Sequence, residues 1–551
     1  MKEELKMKKL LASVLALVLL LSAGVAAIAE TAEDDPYFGR FAETVTLKVA
    51  KDSADEPGVW TWEDNEWTRE WLEKFNIKIE LMWNTGTSEE YATKFSMAML
   101  TGELPDVMML NTKQYNELLE GGYLADITDV YDNNIYPFLK ENILENQDEN
   151  VLKMGFKDGR RYGIAMANYG INTRTIMIRR DYRESVGAEL PTTMEEVIDL
   201  GKKFVDEGLT KYAFVLNQNV TGDGYSDMQA VANAFGSYPG IWVKDDEGKL
   251  IYSSLTEGMK KTLDVYKDLY DNGYIQSTFA TEVGDNITSY VTNGEVGIMP
   301  SDYWVATWPL PLTDADNNVI EWDMIPVVAS ETNDDFHVQG VGSMADVSFL
   351  AISAKCANPE AVARLWNHVC AVHCDPDLED TAHFHTVQNA DGTSVQVFMR
   401  CPIYPRQFSI PNVNMWTAVA VQEAFNGNMD ALRVCPHYQQ QYDNVKRYQD
   451  AVAAGDKDVA KGAWGMNKLF GGEESIFYCF YKNYAAGNYI WDARTETTEN
   501  YERLWGSLKQ YENTFYVNYI CGTEDTTFEQ FVQEWNNMGG KMLTDELNAA
   551  K

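Results

Sequence analysis

The sequence predicts an α/β fold with two or more lobes. An alternation of strand, helix, strand, helix and strand early in the chain is typical of a doubly wound domain. The length of 551 residues exceeds what one hydrophobic core usually serves. Hydrophobic residues make up 45% of the chain and aromatic residues 12%, which is ample for such cores. The alternating segments are residues 45–50, 67–75, 77–83, 91–100 and 107–110.

The last of these segments has clear boundaries. Gly102 is the residue type expected just past a helix end, and Pro105 prevents the helix from continuing. The unbroken apolar run 107–110 predicts a strand buried on both faces of a parallel sheet. Asn111 would then lie at the carboxyl end of that strand, where open α/β sheets bind their ligands.

Residues 1–29 are interpreted as a secretory signal. A basic start is followed by the apolar run 10–21 and by the small-residue cleavage motif 27–29. The run is too short for a comfortable membrane span. A lipoprotein signal would have a cysteine where Gly24 stands. The sequence therefore predicts a secreted or extracytoplasmic, cell-surface-associated protein without a lipid-anchor cysteine.

The chain is strongly acidic, with a formal net charge of −39. Such a surface repels nucleic acid, so no nucleic-acid partner is expected. It argues less firmly against a polyanionic ligand, because a local basic pocket could still capture one. The 7 cysteines all follow residue 355, and an odd number cannot pair completely within one chain. We expect most of them to be buried free thiols.

Further local signals run along the chain. The turn 158–159 predicts a hairpin, and Thr192 or Thr193 predicts the N-cap of a helix. The acidic stretch 245–248 predicts a hairpin turn rather than a calcium site. The aromatic and leucine residues of 501–515 repeat at helical spacing, which predicts core packing.

Several segments of the chain carry a family resemblance through their order and spacing, although no single one is diagnostic. They are 156–164, 190–197, 263–275, 293–299, 352–361, 520–523 and 528–540. Together they resemble the extracellular solute-binding proteins of bacterial ABC importers. The likeness is closest to the family 1, lipoprotein-type carbohydrate-binding group of Firmicutes.

The resemblance implies a two-lobed type II fold of the periplasmic-binding-protein kind, with a ligand cleft between discontinuous lobes. The first lobe would comprise 41–172 plus 281–352, and the second 173–280 plus 353–540. It also implies capture of a solute for membrane permease subunits by a monomer with no cofactor. Some members carry a calcium loop, but residues 206–212 lack its alternating oxygen ligands.

Motifs for catalysis are absent from the sequence. It has no phosphate-binding loop, no dinucleotide fingerprint and no Gly-x-Ser-x-Gly elbow, so we expect no enzyme activity. A cluster of histidine, cysteine and aspartate residues could hold zinc, but ordinary packing is the favoured interpretation. The cluster comprises His368, Cys370, His373, Cys374, Asp375, Asp377, His383 and His385.

The predicted solute is a neutral or weakly charged carbohydrate, most simply an oligosaccharide. Sugars stack their C–H faces on aromatic rings and bond their hydroxyls to Asp and Asn oxygens. A peptide-binding receptor, a secreted carbohydrate-active enzyme and an adhesin or signalling receptor are the alternatives. The candidate ligand-binding residues are Trp60, Trp62, Trp83, Asn84, Asp106, Asn111, Asp302, Tyr303, Trp304, Trp308 and Tyr478.

Overall fold

A computed structural model describes most of the chain, which folds into two compact units. Unit 1 draws on the chain up to Met166 and on Val347–Ile410, and unit 2 draws on Ala167–Asp346 and on the chain from Pro411 onwards. The described residues are 35–56, 58–145, 149–171, 173–222, 224–377, 386–388, 394–396, 400–403, 410–494 and 497–549.

The strands are numbered in chain order. They are β1 (Val45–Lys51), β2 (Ile77–Asn84), β3 (Val107–Asn111), β4 (Phe156–Lys157), β5 (Arg160–Arg161), β6 (Gly163–Gly170), β7 (Arg174–Arg179), β8 (Trp242–Lys244), β9 (Leu250–Tyr252), β10 (Ile298–Asp302), β11 (Trp322–Pro326), β12 (Val338–Ile352), β13 (Thr386–Gln388), β14 (Ser394–Gln396) and β15 (Tyr489–Asp492).

The α-helices are numbered in the same way. They are α1 (Glu66–Phe75), α2 (Ser88–Thr101), α3 (Thr112–Glu120), α4 (Thr128–Asn134), α5 (Pro137–Leu139), α6 (Glu149–Lys153), α7 (Arg180–Ser185), α8 (Met194–Asp206), α9 (Gln229–Ala234), α10 (Glu257–Asp271), α11 (Gly284–Thr292), α12 (Pro359–Cys374), α13 (Val413–Phe425), α14 (Pro436–Ala454), α15 (Lys457–Phe470), α16 (Ile476–Ala485), α17 (Glu499–Cys521), α18 (Phe528–Trp535) and α19 (Lys541–Ala549).

Unit 1 contains the predicted alternation of strands and helices, with β1 and β2 in one sheet and β3 in another. β1 and β2 pair in parallel, from Val45 opposite Ile77 to Lys51 opposite Asn84. The helices expected at 67–75 and 91–100 are confirmed as α1 and α2. Gly102 ends α2 in the left-handed conformation, with φ of 68°.

The surroundings of β3 differ from the prediction. β3 pairs with β12, and the pairing is antiparallel rather than parallel. Met108 and Leu110 are buried, whereas Val107 and Met109 are only half-buried. The expectation of a strand buried on both faces is therefore wrong, because the side chains alternate between the core and a partly exposed face.

In unit 2, β7 is the central strand of an antiparallel sheet. β10 pairs with one edge of β7 and β11 with the other. This antiparallel pairing differs from the parallel sheet that is typical of a doubly wound domain. The hairpin expected around residues 245–248 is confirmed by the pairing of β8 with β9.

The division into units also differs from the predicted lobe boundaries. Residues 281–346 lie in unit 2, not with the first lobe, because β10 and β11 bond to β7. Residues 353–410 lie in unit 1, not with the second lobe. The cause is α12, where the Asn367 amide donates to the Asn134 carbonyl oxygen and the Trp71 indole N–H donates to His368.

The predicted core stripe of α17 is confirmed. Tyr501, Leu508 and Phe515 are buried in the core of unit 2. Phe515 stacks on Phe531 of α18, with ring centroids 4.1 Å apart. These aromatic residues therefore serve packing.

The N-cap of α8 supports a stability prediction. Thr193 Oγ1 accepts a hydrogen bond from the Glu196 N–H, and together the two residues form a capping box. Thr193→Ala is expected to lower the free energy of unfolding by about 1 kcal/mol, as cap losses do. Urea titration measures this change. Thr514→Ala, in the exposed middle of α17, is the control, and an equal loss in both variants would contradict the capping role.

The cysteines support a second prediction. Cys370, Cys401 and Cys479 are buried free thiols, which confirms that expectation for these three. Burial raises the pKa of Cys401 to about 12 and that of Cys356 to about 11. We expect the native protein to react slowly with a disulfide reagent at pH 8, because thiolates are scarce and poorly accessible. Labelling in guanidinium is the control, and equal native and denatured rates would contradict the burial.

Candidate functional site

The carboxyl edge of β1 and β2 holds one group of candidate residues in unit 1. Lys51 lies opposite Asn84 at the end of the parallel pair, and the Thr85 N–H donates to the Lys51 carbonyl oxygen over 3.1 Å. The Asn84 amide N–H donates to Asp55 Oδ1 over 3.2 Å. Sequence reasoning missed Lys51, although its place at a strand end was the available signal.

Two tryptophans of the loop after β1 contact each other. The rings of Trp60 and Trp62 meet edge to face, with centroids 4.9 Å apart. Trp62 is only 3% exposed, and its indole N–H donates to the Ser53 carbonyl oxygen. Trp62 therefore packs as a core residue. Trp60 is half-buried and lies against the guanidinium of Arg400, 5.5 Å from the ring centroid.

Trp83 occupies a partly exposed position at the end of β2. Its ring lies 5.0 Å from that of Tyr91, and the Lys94 ammonium lies 5.3 Å from the Trp83 centroid. Burial raises the pKa of Tyr91 to about 12. The Trp83 side chain is partly exposed, so it remains a candidate for stacking on a ligand.

Asp106 and Asn111 have structural roles. Asp106 Oδ2 accepts from the Lys48 N–H over 2.7 Å and so links the loop before β3 to β1. Asn111 is the N-cap of α3, where its Oδ1 accepts from the Gln114 N–H over 2.9 Å. Because these carboxylate and amide groups bond the backbone, both residues are weaker ligand candidates than the sequence suggested.

Unit 2 brings three aromatic rings together, and we call Tyr225, Trp304 and Trp308 the aromatic platform. The two indoles are nearly parallel, 26° between planes and 6.2 Å between centroids. Tyr225 lies 5.3 Å from Trp304 and 5.9 Å from Trp308. Trp308 is 51% exposed, so the platform presents an open indole to solvent.

A charged network adjoins the platform. Arg174 forms a bidentate ion pair with Asp227, in which Nε donates to Oδ1 over 3.1 Å and Nη2 donates to Oδ2 over 2.6 Å. It forms a second ion pair with Asp302. The Trp304 indole N–H donates to Asp302 Oδ2 over 3.3 Å. The Asp227 side chain is fully buried, whereas that of Asp302 is 24% exposed. Asp302 thus connects the network to the platform.

Burial and neighbouring charge shape the protonation of this network. Burial raises the pKa of the Asp302 carboxyl, and the Arg174 guanidinium opposes that rise. Gly224 lies against Asp302, and an added Cβ would stand 2.6 Å from Oδ2. Only glycine therefore permits this approach. The run Gly224-Tyr225-Ser226-Asp227 was the signal that sequence reasoning overlooked.

Two other candidates lie near different partners. Tyr303 packs on Phe477 of α16, with ring centroids 4.8 Å apart, and burial raises its pKa to about 12. Tyr478 packs with Tyr481 and Lys482 of its own helix. These contacts do not join Tyr478 to the aromatic platform.

The histidine and cysteine cluster serves packing where it is described. His373 stacks on Trp67, with planes 4° apart, and its Nδ1 bonds the Val369 carbonyl oxygen. His383 and His385 lie outside the described residues. Among the described residues, no group of three or more His, Cys, Asp or Glu side chains is placed to hold a metal ion. The Asp245 carboxylate bonds its own turn, accepting from the Glu247 and Lys249 N–H groups.

Comparison with known proteins identifies the family. The model for bacterial extracellular solute-binding proteins matches residues 60–367, more than half of the chain. The chain belongs to this family. Among the described helices of this solute-binding protein, none is both long and apolar enough to cross a bilayer.

Two curated relatives of the solute-binding protein come from Bacillus subtilis strain 168. Lipoprotein LipO is 27% identical over 236 residues, covering 41% of this chain and 45% of LipO. The polygalacturonan/rhamnogalacturonan-binding protein YtcQ is 24% identical over 240 residues, covering 40% of this chain and 44% of YtcQ. The matched part thus spans less than half the length of either relative.

Solved structures show the fold. The alginate-binding protein AlgQ2 without calcium has a TM-score of 0.58 at 14% identity, covering 93% of this chain and 98% of AlgQ2. The S. pneumoniae binding protein FusA, an EF-hand mutant with fructo-nystose, has a TM-score of 0.57 at 15% identity, covering 92% and 98%. These likenesses confirm the predicted two-lobed type II solute-binding fold.

Proposed function

We propose that this solute-binding protein captures an oligosaccharide outside the cell and delivers it to an ABC importer without changing it chemically. The aromatic platform beside Asp302 is the observation that carries this proposal. It combines an open indole, a second nearly parallel indole and a partly exposed carboxylate.

The chemistry of the platform suits a sugar. The apolar C–H face of a pyranose ring stacks on an indole, and burying that face removes apolar surface from water. The hydroxyls at the ring edge need hydrogen-bond acceptors, and Asp302 offers a carboxylate held in place by Arg174 and Trp304. A fixed carboxylate loses little conformational freedom on binding, which favours affinity.

The descriptions of similar proteins support the proposal of a carbohydrate ligand. YtcQ is described as a polygalacturonan/rhamnogalacturonan-binding protein and AlgQ2 as an alginate-binding protein. A further structure with the fold, from Bifidobacterium longum infantis, is described as binding HMO (TM-score 0.56, 13% identity, covering 92% of this chain and 98% of that one). Each of these descriptions concerns the relative itself, and the platform is this chain's own support.

Membership of the family gives the location of the protein, whereas its partners are part of the proposal. As a member of an extracellular family, the protein works outside the cytoplasm. We propose that it acts as a monomer, that permease subunits in the membrane receive its ligand, and that no lipid is attached at Gly24. Mass spectrometry of protein exported by a Gram-positive host tests the last point, since an added diacylglycerol would contradict it.

Binding without turnover separates this proposal from a carbohydrate-active enzyme. Purified protein is incubated with an excess of candidate oligosaccharides, and the sugars are analysed by chromatography. We expect about one equivalent of bound glycan and recovery of intact ligand after denaturation. Release of shortened or modified sugar beyond one equivalent would contradict the proposal.

A further inference from the structure

The end of β1 suggests which oligosaccharides bind. We propose that Lys51 binds a carboxylate of the solute, so that the ligand is an acidic oligosaccharide containing uronic acids. This inference rests on the proposed function and makes it more specific. It differs from the predicted neutral or weakly charged carbohydrate and corresponds to the local basic pocket that the sequence left open.

The position of Lys51 is the first argument. Lys51 is the last residue of β1 and lies opposite Asn84, the last residue of β2. The carboxyl ends of parallel strands are where open α/β sheets bind ligands. The loop that follows carries Trp60, and Trp83 precedes Asn84, so partly exposed indoles belong to the same edge.

The second argument is that the Lys51 ammonium has no paired carboxylate among the described residues. In the described part of the chain, Lys51 makes no ion pair, although its side chain is half-buried. Its ammonium lies 4.5 Å from the Trp62 ring centroid. By contrast, Arg400 pairs with Glu66. The Trp62 ring stabilises this half-buried cation in part, and a ligand carboxylate would supply the paired negative charge.

Burial has a measurable effect on this ammonium. It lowers the pKa of Lys51, while Cys401 and Asp52 act in the opposite direction. The charged form is thus less stable than in water, and pairing with an anion would offset that cost. The position of Lys51 at the strand end and the lowered pKa of its ammonium therefore both favour pairing with a ligand carboxylate.

Lys51 lies in a strongly acidic protein and has acidic residues nearby. Asp52 lies close enough to raise the pKa of Lys51. The Asp55 carboxylate instead accepts a hydrogen bond from the Asn84 amide. The remaining negative charges act at long range, and salt screens them beyond about 10 Å at 0.1 M ionic strength. Recognition by one desolvated ammonium is therefore compatible with an acidic surface.

The experiment compares two ligands that differ in charge. Trigalacturonic acid carries carboxylates. Its methyl ester, with every carboxylate esterified, keeps the sugar rings and hydroxyls but loses the charge. Lys51→Met keeps an unbranched side chain that is only one atom shorter, and it removes the cation. Lys78→Met is the matched control, because Lys78 is an exposed lysine on β2, away from the carboxyl edge.

We expect Lys51→Met to weaken binding of the acid about 10- to 100-fold, which is the range for a hydrogen bond to a charged group. Binding of the ester should change less than twofold, and Lys51→Arg should retain the preference for the acid. Lys78→Met should leave both affinities unchanged. Calorimetric titration at fixed salt measures the affinities of the parent and the three variants for the acid and the ester, and circular dichroism verifies that each variant is folded.

Two results would overturn the inference alone. The first is a Lys51→Met variant that binds acid and ester with the parent's affinities, or that weakens both equally, since a packing role against Trp62 would do either. The second is a parent protein that binds neutral oligosaccharides but not the acid. If the parent binds no glycan at all, the proposed function fails and this inference fails with it.

Discussion

Replacing Arg174 by methionine is expected to lower the free energy of unfolding by about 3–5 kcal/mol, as loss of one partner from a buried ion pair does. The side chain of Arg174 is 7% exposed and that of Asp227 is fully buried. Without the guanidinium, Asp227 and Asp302 would remain as two uncompensated carboxylates in contact with the core of unit 2. The N–H donors that remain, from Gly224, Gln229 and Trp304, would offset only part of their desolvation cost.

Urea denaturation monitored by circular dichroism measures this loss. Arg433→Met is the matched control, because Arg433 pairs with Asp430 in an exposed bridge, where the two side chains are 84% and 81% exposed. Exposed pairs contribute about 1 kcal/mol or less. Equal stabilities of the two variants would show that the Arg174 network does not stabilise unit 2.

Truncation of the aromatic platform is expected to lower the affinity for the oligosaccharide strongly. Trp304→Ala and Trp308→Ala should each cost about 2 kcal/mol, roughly a thirtyfold rise in Kd, which is typical of a binding-site anchor. The reason is that each variant removes an indole on which a sugar face would stack. Trp304→Ala also removes the N–H that donates to Asp302.

Calorimetric titration of a binding oligosaccharide measures both effects. Trp416→Ala is the control, because Trp416 is a 37% exposed tryptophan of the same unit that packs with Tyr481 instead of the platform. Its affinity should match that of the parent. If the platform variants also bind like the parent, Trp304 and Trp308 do not bind the ligand.

Local features of the fold were predictable from the sequence. Gly102 ends α2, Thr193 caps α8, and Asp158 with Gly159 forms the turn between β4 and β5 at φ of 51° and 77°. Each signal depends on a few neighbouring residues whose backbone or side-chain chemistry restricts the chain. Such features need no knowledge of distant segments.

Distant pairings were not predictable in the same way. β3 reads as a buried parallel strand, but its partner β12 follows more than 200 residues later and runs antiparallel. The boundary near residue 281 failed for the same reason, since β10 joins β7 in unit 2. Hydrophobic pattern gives the type of an element, whereas its neighbours depend on packing over the whole chain.

The candidate site shows the same division. Trp304, Trp308 and Asp302 were predicted from their place after an expected strand, and the structure brings them together with Tyr225. Asp106 and Asn111 were also candidates from the sequence, because they lie around the expected third strand. Their oxygens bond backbone N–H groups instead, a competition that the sequence alone does not reveal.

The most direct test of the carbohydrate claim is calorimetric titration of the purified protein against a panel of neutral and acidic oligosaccharides. Basic peptides form the second panel, because the net charge of −39 would attract them. We predict saturable binding of at least one oligosaccharide near one site per chain, with no saturable binding of the peptides. Saturable binding of basic peptides together with no binding of any oligosaccharide would contradict the account.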